Sequence, residues 1–178
     1  MGHEDKLEQS SHGRRSRESG CFTSPPSGEV GGEVAGRRQT LRIPDTAFEV
    51  LGSGRLAHIV TLNPDGSPQM SCVWVGVDDG EIVLASLPRN RKVRNIERDP
   101  RVILSIETGR KGRNGLDEYL VVAGRGRVVQ GGAPEVLQRL AHVYMGPTAK
   151  FPPMPNPLPG FVIRIEPQRF SGNGPWND

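Results

Sequence analysis

The apolar residues of this chain gather in short runs rich in Val, Ile and Thr, cut at intervals by Pro, Asp and Gly, the pattern of antiparallel strands. Leu56 to Asn63 and Gln69 to Val77 are two such runs. They are joined by Pro64-Asp65-Gly66, where Pro presets φ and Gly takes the positive φ of a tight hairpin. Asp78-Asp79-Gly80 turns the chain into a third run, Glu81 to Ser86, so the pattern predicts a three-stranded meander. Arg101 to Thr108 reads as a fourth strand, Glu118 to Gln130 as a long fifth, and Phe161 to Ile165, with its Phe-Ile-Ile alternation, as a half-buried sixth. Helical spacing is rarer. Asp45 caps a brief helix through Phe48, Val50 and Leu51 that ends at Gly52. Val93 and Ile96 share a face of a second helix stopped by Asp99-Pro100, and Val136, Leu137, Leu140, Val143 and Tyr144 follow Pro134 on a third. Residues 147–159 hold six prolines, too many for a helix or a central strand. The order predicts a mainly β (α+β) domain, a six-stranded antiparallel split β-barrel with two to three short helices, over a parallel sheet flanked by helices.

Composition shifts near residue 40. Residues 1–40 contain seven glycines, six serines and equal numbers of acidic and basic residues, six of each, with few large apolar side chains. Such a segment cannot bury a core and reads as a disordered N-terminal extension; initiation nearer Val34 would account for it equally well. Residues 41–178 form the barrel domain, and a hydrophobic content of 34% in 178 residues suits one domain plus unstructured chain. No run approaches the roughly 18 apolar residues of a membrane span, and Arg14-Arg15 leads into Ser, Gly and Pro and not into an apolar export signal. The expected compartment is the cytoplasm, with Cys21 and Cys72 reduced. The four histidines, His3, His12, His58 and His142, show no metal-ligand spacing, so no metal is expected.

Charge changes the picture at one place. Ser86 to Arg101 carries six basic and two acidic residues, a net of +4, while the whole chain carries +3. Positive potential is therefore concentrated where a strand ending in Ser86 passes into a helix opening with Arg91 and Lys92, and helix N-termini offer unpaired N–H groups to anions. A phosphate cradle and a solvated basic helix face are both open readings of that block. The loop from Gly109 to Asp117 has three glycines and three basic residues but lacks the Gly-Lys-Ser/Thr ending of a nucleotide-binding loop, which leaves a plain hairpin loop.

The succession of His58-Ile-Val-Thr-Leu-Asn-Pro-Asp-Gly-Ser-Pro-Gln69, Val73-Trp-Val75, the Ser86 to Arg101 block and Ser171-Gly-Asn-Gly-Pro-Trp176 resembles the pyridoxamine 5'-phosphate oxidase-like flavin/deazaflavin oxidoreductases. Within them the chain looks most like the actinobacterial branch that uses coenzyme F-420, a deazaflavin with a phospholactyl-polyglutamate tail. The resemblance spans roughly residues 45–176 and implies an FMN-binding split-barrel fold, a homodimer and one cofactor in each interface groove. It implies that Lys92 with Arg91 or Arg89 holds the phosphate, that Ser86 adds a hydroxyl, that Val73, Trp74 and Val75 line the ring, and that Thr61 contributes from the neighbouring strand. Here Ser86 and Lys92 stand six positions apart, one fewer than in many relatives, so Arg89 and Arg91 both remain candidates. Val73 and Val75 read equally well as barrel core, with Trp74 on the opposite face. Gly172 to Trp176 is a candidate cover for the ring in the partner subunit or a loose tail.

The implied activity is hydride transfer between reduced coenzyme F-420 and a conjugated C=C or related acceptor in a small substrate, an oxidoreductase acting on CH–CH groups, with the chemistry supplied by the cofactor. Catalytic residues are not assigned; Tyr144, His58, Tyr119 or solvent are candidate proton donors. The alternatives are an FMN oxidase or flavin reductase of the same fold, and a non-enzymatic barrel that binds a cofactor or nucleic acid. Arg110, Lys111 and Arg113 would extend the basic track for a polyglutamate tail if their loop lies near the groove. Nucleic-acid binding is disfavoured because the basic block has no aromatic side chains on which bases could stack.

Overall fold

The computed structural model describes residues 41–176; the extension expected over residues 1–40 lies outside the described residues. The elements run α1 (Asp45–Leu51), β1 (Ala57–Leu62), β2 (Pro68–Val73), β3 (Gly76–Asp78), β4 (Glu81–Ser86), α2 (Arg91–Arg98), β5 (Arg101–Lys111), β6 (Asp117–Gln130), α3 (Ala133–Tyr144) and β7 (Phe161–Asn173). The β1–β2 hairpin forms at the expected turn, with Gly66 at φ 81° and Asp65 Oδ1 accepting from both the N–H and the hydroxyl of Ser67. The β3–β4 turn is tighter: Asp79 and Gly80 both take positive φ, 55° and 75°, as a two-residue type I′ hairpin requires.

The expected meander is corrected. Gln69–Val77 is broken at Trp74-Val75, so β2 pairs with β1, β3 with β4, and β4 with the distant β7. The barrel has seven strands in place of six, in the order β2-β1-β5-β6-β7-β4-β3. Periodicity cannot show such a break, because Val73 and Val75 keep facing inward across it. What makes it tolerable is the Tyr144 hydroxyl, which accepts from the Val75 N–H at 2.9 Å and lies 3.2 Å from the Val75 carbonyl, standing in for the missing ladder partner. The two edge strands are thus joined through two residues, and at about 3.3 Å per residue the sheet's edges approach to ~10 Å, curling it into a barrel split along that line.

Inward positions of every long strand fill the interior: Ile59, Leu84, Leu104, Ile106, Leu120, Ile163 and Ile165 are all fully buried. α2 packs across β1 and β6, an approach that needs Gly126, where an added Cβ would stand 2.9 Å from Ile96 Cγ2. Outside the barrel, Val136 and Leu140 of α3 pack on Val83 and Val162.

Three further expectations change. Asp45 is not the cap of α1; Pro44 holds that position, and Asp45 sits in the first turn, 3.4 Å from the Arg42 guanidinium. The loop predicted from Gly109 shrinks to residues 112–116 because cross-strand pairs Arg110–Glu118, at 3.1 Å, and Lys111–Asp117, at 2.8 Å, zip β5 and β6 further. β7 continues past Ile165 to Asn173 along β6, and Trp176 behind it is 3% exposed within this chain's own core. Trp176 is therefore neither a loose end nor free to cover a ring elsewhere, and Thr46 Oγ1 donates to the Pro175 carbonyl to hold the segment against α1. Among the described residues no helix is long and apolar enough to cross a membrane.

Candidate functional site

The site is built where β4 hands over to α2. Asn90 caps α2 with its side-chain oxygen on the Val93 N–H, and its amide donates to Ser86 Oγ at 2.7 Å. Ser86 Oγ in turn donates to the Pro88 carbonyl at 2.9 Å. Ser86 and Asn90 are thus a staple that fixes the direction of α2, with the serine's proton already committed. Arg89 folds back along the helix onto Glu97 at 2.5 Å, and Arg94 donates to the Arg89 carbonyl.

Lys92 is left over. It is half-buried, it has no hydrogen-bond or ion-pair partner among the described residues, and burial pushes its pKa down. It lines a cleft of about 240 Å³ with Leu56, Cys72, Val73, Trp74, Ala85, Leu137 and Phe151. Trp74 is set rigidly, stacked on Tyr144 with centroids 5.2 Å apart and 21° between planes, and met by Phe151 at 5.1 Å and 58°.

One turn around α2, Arg91, Arg94 and Arg98 follow the i, i+3, i+7 spacing of a single face and line a groove of about 430 Å³ with Asn63, Pro64, Asp65 and Asn95. The groove's floor is a buried polar chain: Asn95 Nδ2 donates to Thr61 Oγ1 and Asn63 Oδ1, and Thr61 Oγ1 donates to Gln69 Oε1. That chain ties α2 to the β1–β2 hairpin.

Of the residues singled out in the sequence, the structure brings Val73, Trp74 and Lys92 to one cleft and places Arg91 in the adjoining groove. Thr61 is fully buried in the polar chain beneath that groove, Val75 is 1% exposed in the barrel interior, and neither lines the cleft. Ser86 and Arg89 are spent on the staple and on Glu97. The loop arginines and lysine do not form a free track, since Arg110 and Lys111 are paired to carboxylates. None of the candidate proton donors lines the cleft. Tyr144 is pinned between Val75 and the Arg55 carbonyl, with burial raising its pKa against the lowering bond to Val75. His58 sits across from Cys72 and Ser105 on neighbouring strands, and Tyr119 lies across from Asn173. Sequence reading missed Cys72, which shares the outward face of β2 with Trp74 by simple alternation, and Phe151, whose proline-rich surroundings carried no signal.

An ammonium held half-buried without a counter-charge fits the phosphate of a flavin or deazaflavin, and the flat Trp74 surface beside it fits a ring system. The family model described as pyridoxamine 5'-phosphate oxidase matches residues 43–172. Among solved structures, an F-420 reductase is 25% identical over 72% of this chain and 98% of its own, with a TM-score of 0.59. A conserved hypothetical protein from Mycobacterium tuberculosis is 22% identical, covering 79% of this chain and 88% of its own at a TM-score of 0.59. HupZ of Group A Streptococcus is 18% identical over 72% of this chain and 92% of its own at 0.51. The latter two show the split-barrel fold alone. No curated protein matches the sequence. A split barrel whose first hairpin, basic helix and closing strand as far as Gly172 fall inside the matched span belongs to the pyridoxamine 5'-phosphate oxidase family, and the chain is an oxidoreductase of flavin or deazaflavin type.

Proposed function

We propose that the protein is a coenzyme F-420-dependent reductase that passes hydride between the deazaflavin and a conjugated C=C or related acceptor of a small organic substrate, acting on CH–CH groups. The observation that carries this reading is the unpartnered Lys92 ammonium beside a helix face bearing Arg91, Arg94 and Arg98. Lys92, Arg91 and the N–H groups at the start of α2 would hold a phosphate, and Arg94 and Arg98 would meet a chain of carboxylates beyond it. FMN ends at its phosphate and leaves that groove unused, which favours the deazaflavin. The similarity to an F-420 reductase supports the same choice.

The bound deazaflavin supplies the hydride-carrying carbon. The chain's own residues bind and orient. Trp74, clamped by Tyr144 and Phe151, is a wall that does not need to be ordered when a ring arrives. Leu56, Val73 and Leu137 keep the wall dry. With no acid of ordinary carboxylate or imidazole type in the cleft, solvent delivers the proton.

A cleft of about 240 Å³ is smaller than the ~300–1,000 Å³ of sites that enclose small ligands. The outer face of β2 and β5 exposes Met70 and Ile103, 64% and 40% accessible, so we read a homodimer in which a second copy covers this face and completes the cleft.

The test is anaerobic mixing with reduced coenzyme F-420 and a panel of enones and quinones, following the return of deazaflavin absorbance. Turnover is expected with reduced coenzyme F-420 and not with reduced FMN. An Arg94→Glu variant, which changes the groove beyond the phosphate, is expected to lose affinity for coenzyme F-420 and keep whatever it has for FMN. Equal turnover with FMN, or equal loss of both cofactors, contradicts the reading.

A further inference from the structure

The proline-rich strap between α3 and β7 enters the cleft through Phe151, yet little holds it. Its ends are tied by the Ala149 N–H on the Gly146 carbonyl and by the Ala133 N–H on the Pro159 carbonyl. Between them, among the described residues, a single side chain bonds the strap to the rest of the chain. Gln138 of α3 donates from Nε2 to the Ala149 carbonyl at 2.8 Å and accepts the Phe151 N–H on Oε1 at 3.0 Å.

These two bonds fix which end of the amide is which, since a backbone N–H must face the oxygen. The second proton on Nε2 then points at His142 Nε2, 2.8 Å away. Only an unprotonated ring nitrogen accepts it, so this contact requires a neutral imidazole with its proton on Nδ1. A protonated ring would set an N–H against an N–H, and the amide cannot turn over to relieve it without facing its NH₂ to the Phe151 N–H and its oxygen to the Ala149 carbonyl.

We infer that Gln138 is a positioning residue for the cleft, latching the strap so that Phe151 lies against Trp74, and that the latch holds only while His142 is neutral. The inference rests on the cofactor reading for the identity of the ligand, not for the latch itself. The charged groups on α3 nearest His142 along the helix are Arg139, one turn earlier and 3.6 Å from Asp78, and Glu135, two turns earlier. No carboxylate among the described residues forms an ion pair with His142. On acidification Phe151 leaves Trp74, the cleft loses a wall, and ring-bearing ligands bind less tightly.

The experiment is hydrogen exchange of the full-length protein over residues 149–153, as protection factors at pH 8 and pH 5.5, spanning the range in which imidazoles change charge. Wild-type protection of the Phe151 amide is expected to fall about threefold to tenfold at the lower pH, the weight of one or two hydrogen bonds. Gln138→Ala should show the low protection at both values, and His142→Leu should abolish the pH dependence. In Gln138→Glu the carboxylate accepts from the protonated ring, so protection should be greater at pH 5.5 than at pH 8, an inversion that a merely structural role would not produce. Unchanged wild-type protection, or the same acid loss in His142→Leu, overturns the latch. Coenzyme F-420 titrated in parallel separates the two claims: failure to bind at either pH removes the cofactor reading and leaves the exchange result to decide the latch.

Discussion

Lys92 sets binding against stability. A half-buried ammonium without a partner weakens the fold, and its lowered pKa states the same thing: the unfolded chain holds that proton more tightly, so stability rises as pH climbs through the folded pKa toward the ordinary 10.5. Lys92→Met keeps the stem and removes the charge. Its expected result is a gain of about 0.5–2 kcal/mol in urea unfolding, loss of the alkaline rise in stability, and weakened coenzyme binding. Lower stability with unchanged binding would assign Lys92 to the scaffold. Asn90 acts differently, through geometry. Asn90→Ala removes both the helix cap and the bond to Ser86, and should cost about 1 kcal/mol, measured by thermal unfolding, while Arg89→Ala, which breaks only an exposed pair with Glu97, should change stability little.

At the scale of elements, the seat of α2 decides where Lys92 stands. Gly126→Val would drive side-chain atoms into Ile96, so α2 must shift; stability should fall by about 1–3 kcal/mol and coenzyme affinity should fall with it, read by melting and titration on the same sample. Full affinity in a destabilised variant would separate the helix from the site. α2 itself was legible in the sequence because its signals are local: Val93 and Ile96 on one face, Asp99-Pro100 behind it. The β1–β2 turn was legible for the same reason. The break at Trp74-Val75 was not, since it depends on a hydroxyl from Tyr144, far along the chain, and leaves the inward alternation of Val73 and Val75 intact. The cleft was half legible. Lys92 announced itself by charge and Trp74 by resemblance, whereas the surroundings of Thr61, Val75 and Ser86 were not readable, because the packing of an inward strand position and a short side chain's bonding direction are settled only in the fold. Phe151 lies in a stretch with no period at all.

Charge as well as apolar packing ties the strands on one side of the barrel together. Arg164 on β7 reaches Asp78 on β3 at 2.6 Å and Glu81 on β4 at 3.3 Å, and Arg127 on β6 reaches Glu81 at 2.6 Å, spanning the strands on one side of the split. The bond from Arg164 holds the Asp78 carboxyl below its ordinary 3.8, against the raising effect of burial. A depressed carboxyl contributes stability that is present above the unfolded value and lost as pH falls through the folded one. Asp78→Asn should therefore be less stable than wild type at neutral pH and converge with it below about pH 4 in acid denaturation. A constant gap across that range would mean that the carboxylate's charge is not what matters.

One titration decides what Lys92 awaits. Coenzyme F-420 and, separately, FMN are added to the wild-type protein and to Lys92→Ala, followed by tryptophan quenching. Micromolar binding of coenzyme F-420 is expected, in preference to FMN, weakened in the variant by about 1.5–3 kcal/mol, the weight of a lost charged hydrogen bond. Binding of neither cofactor, or binding of coenzyme F-420 indifferent to the loss of Lys92, would contradict it.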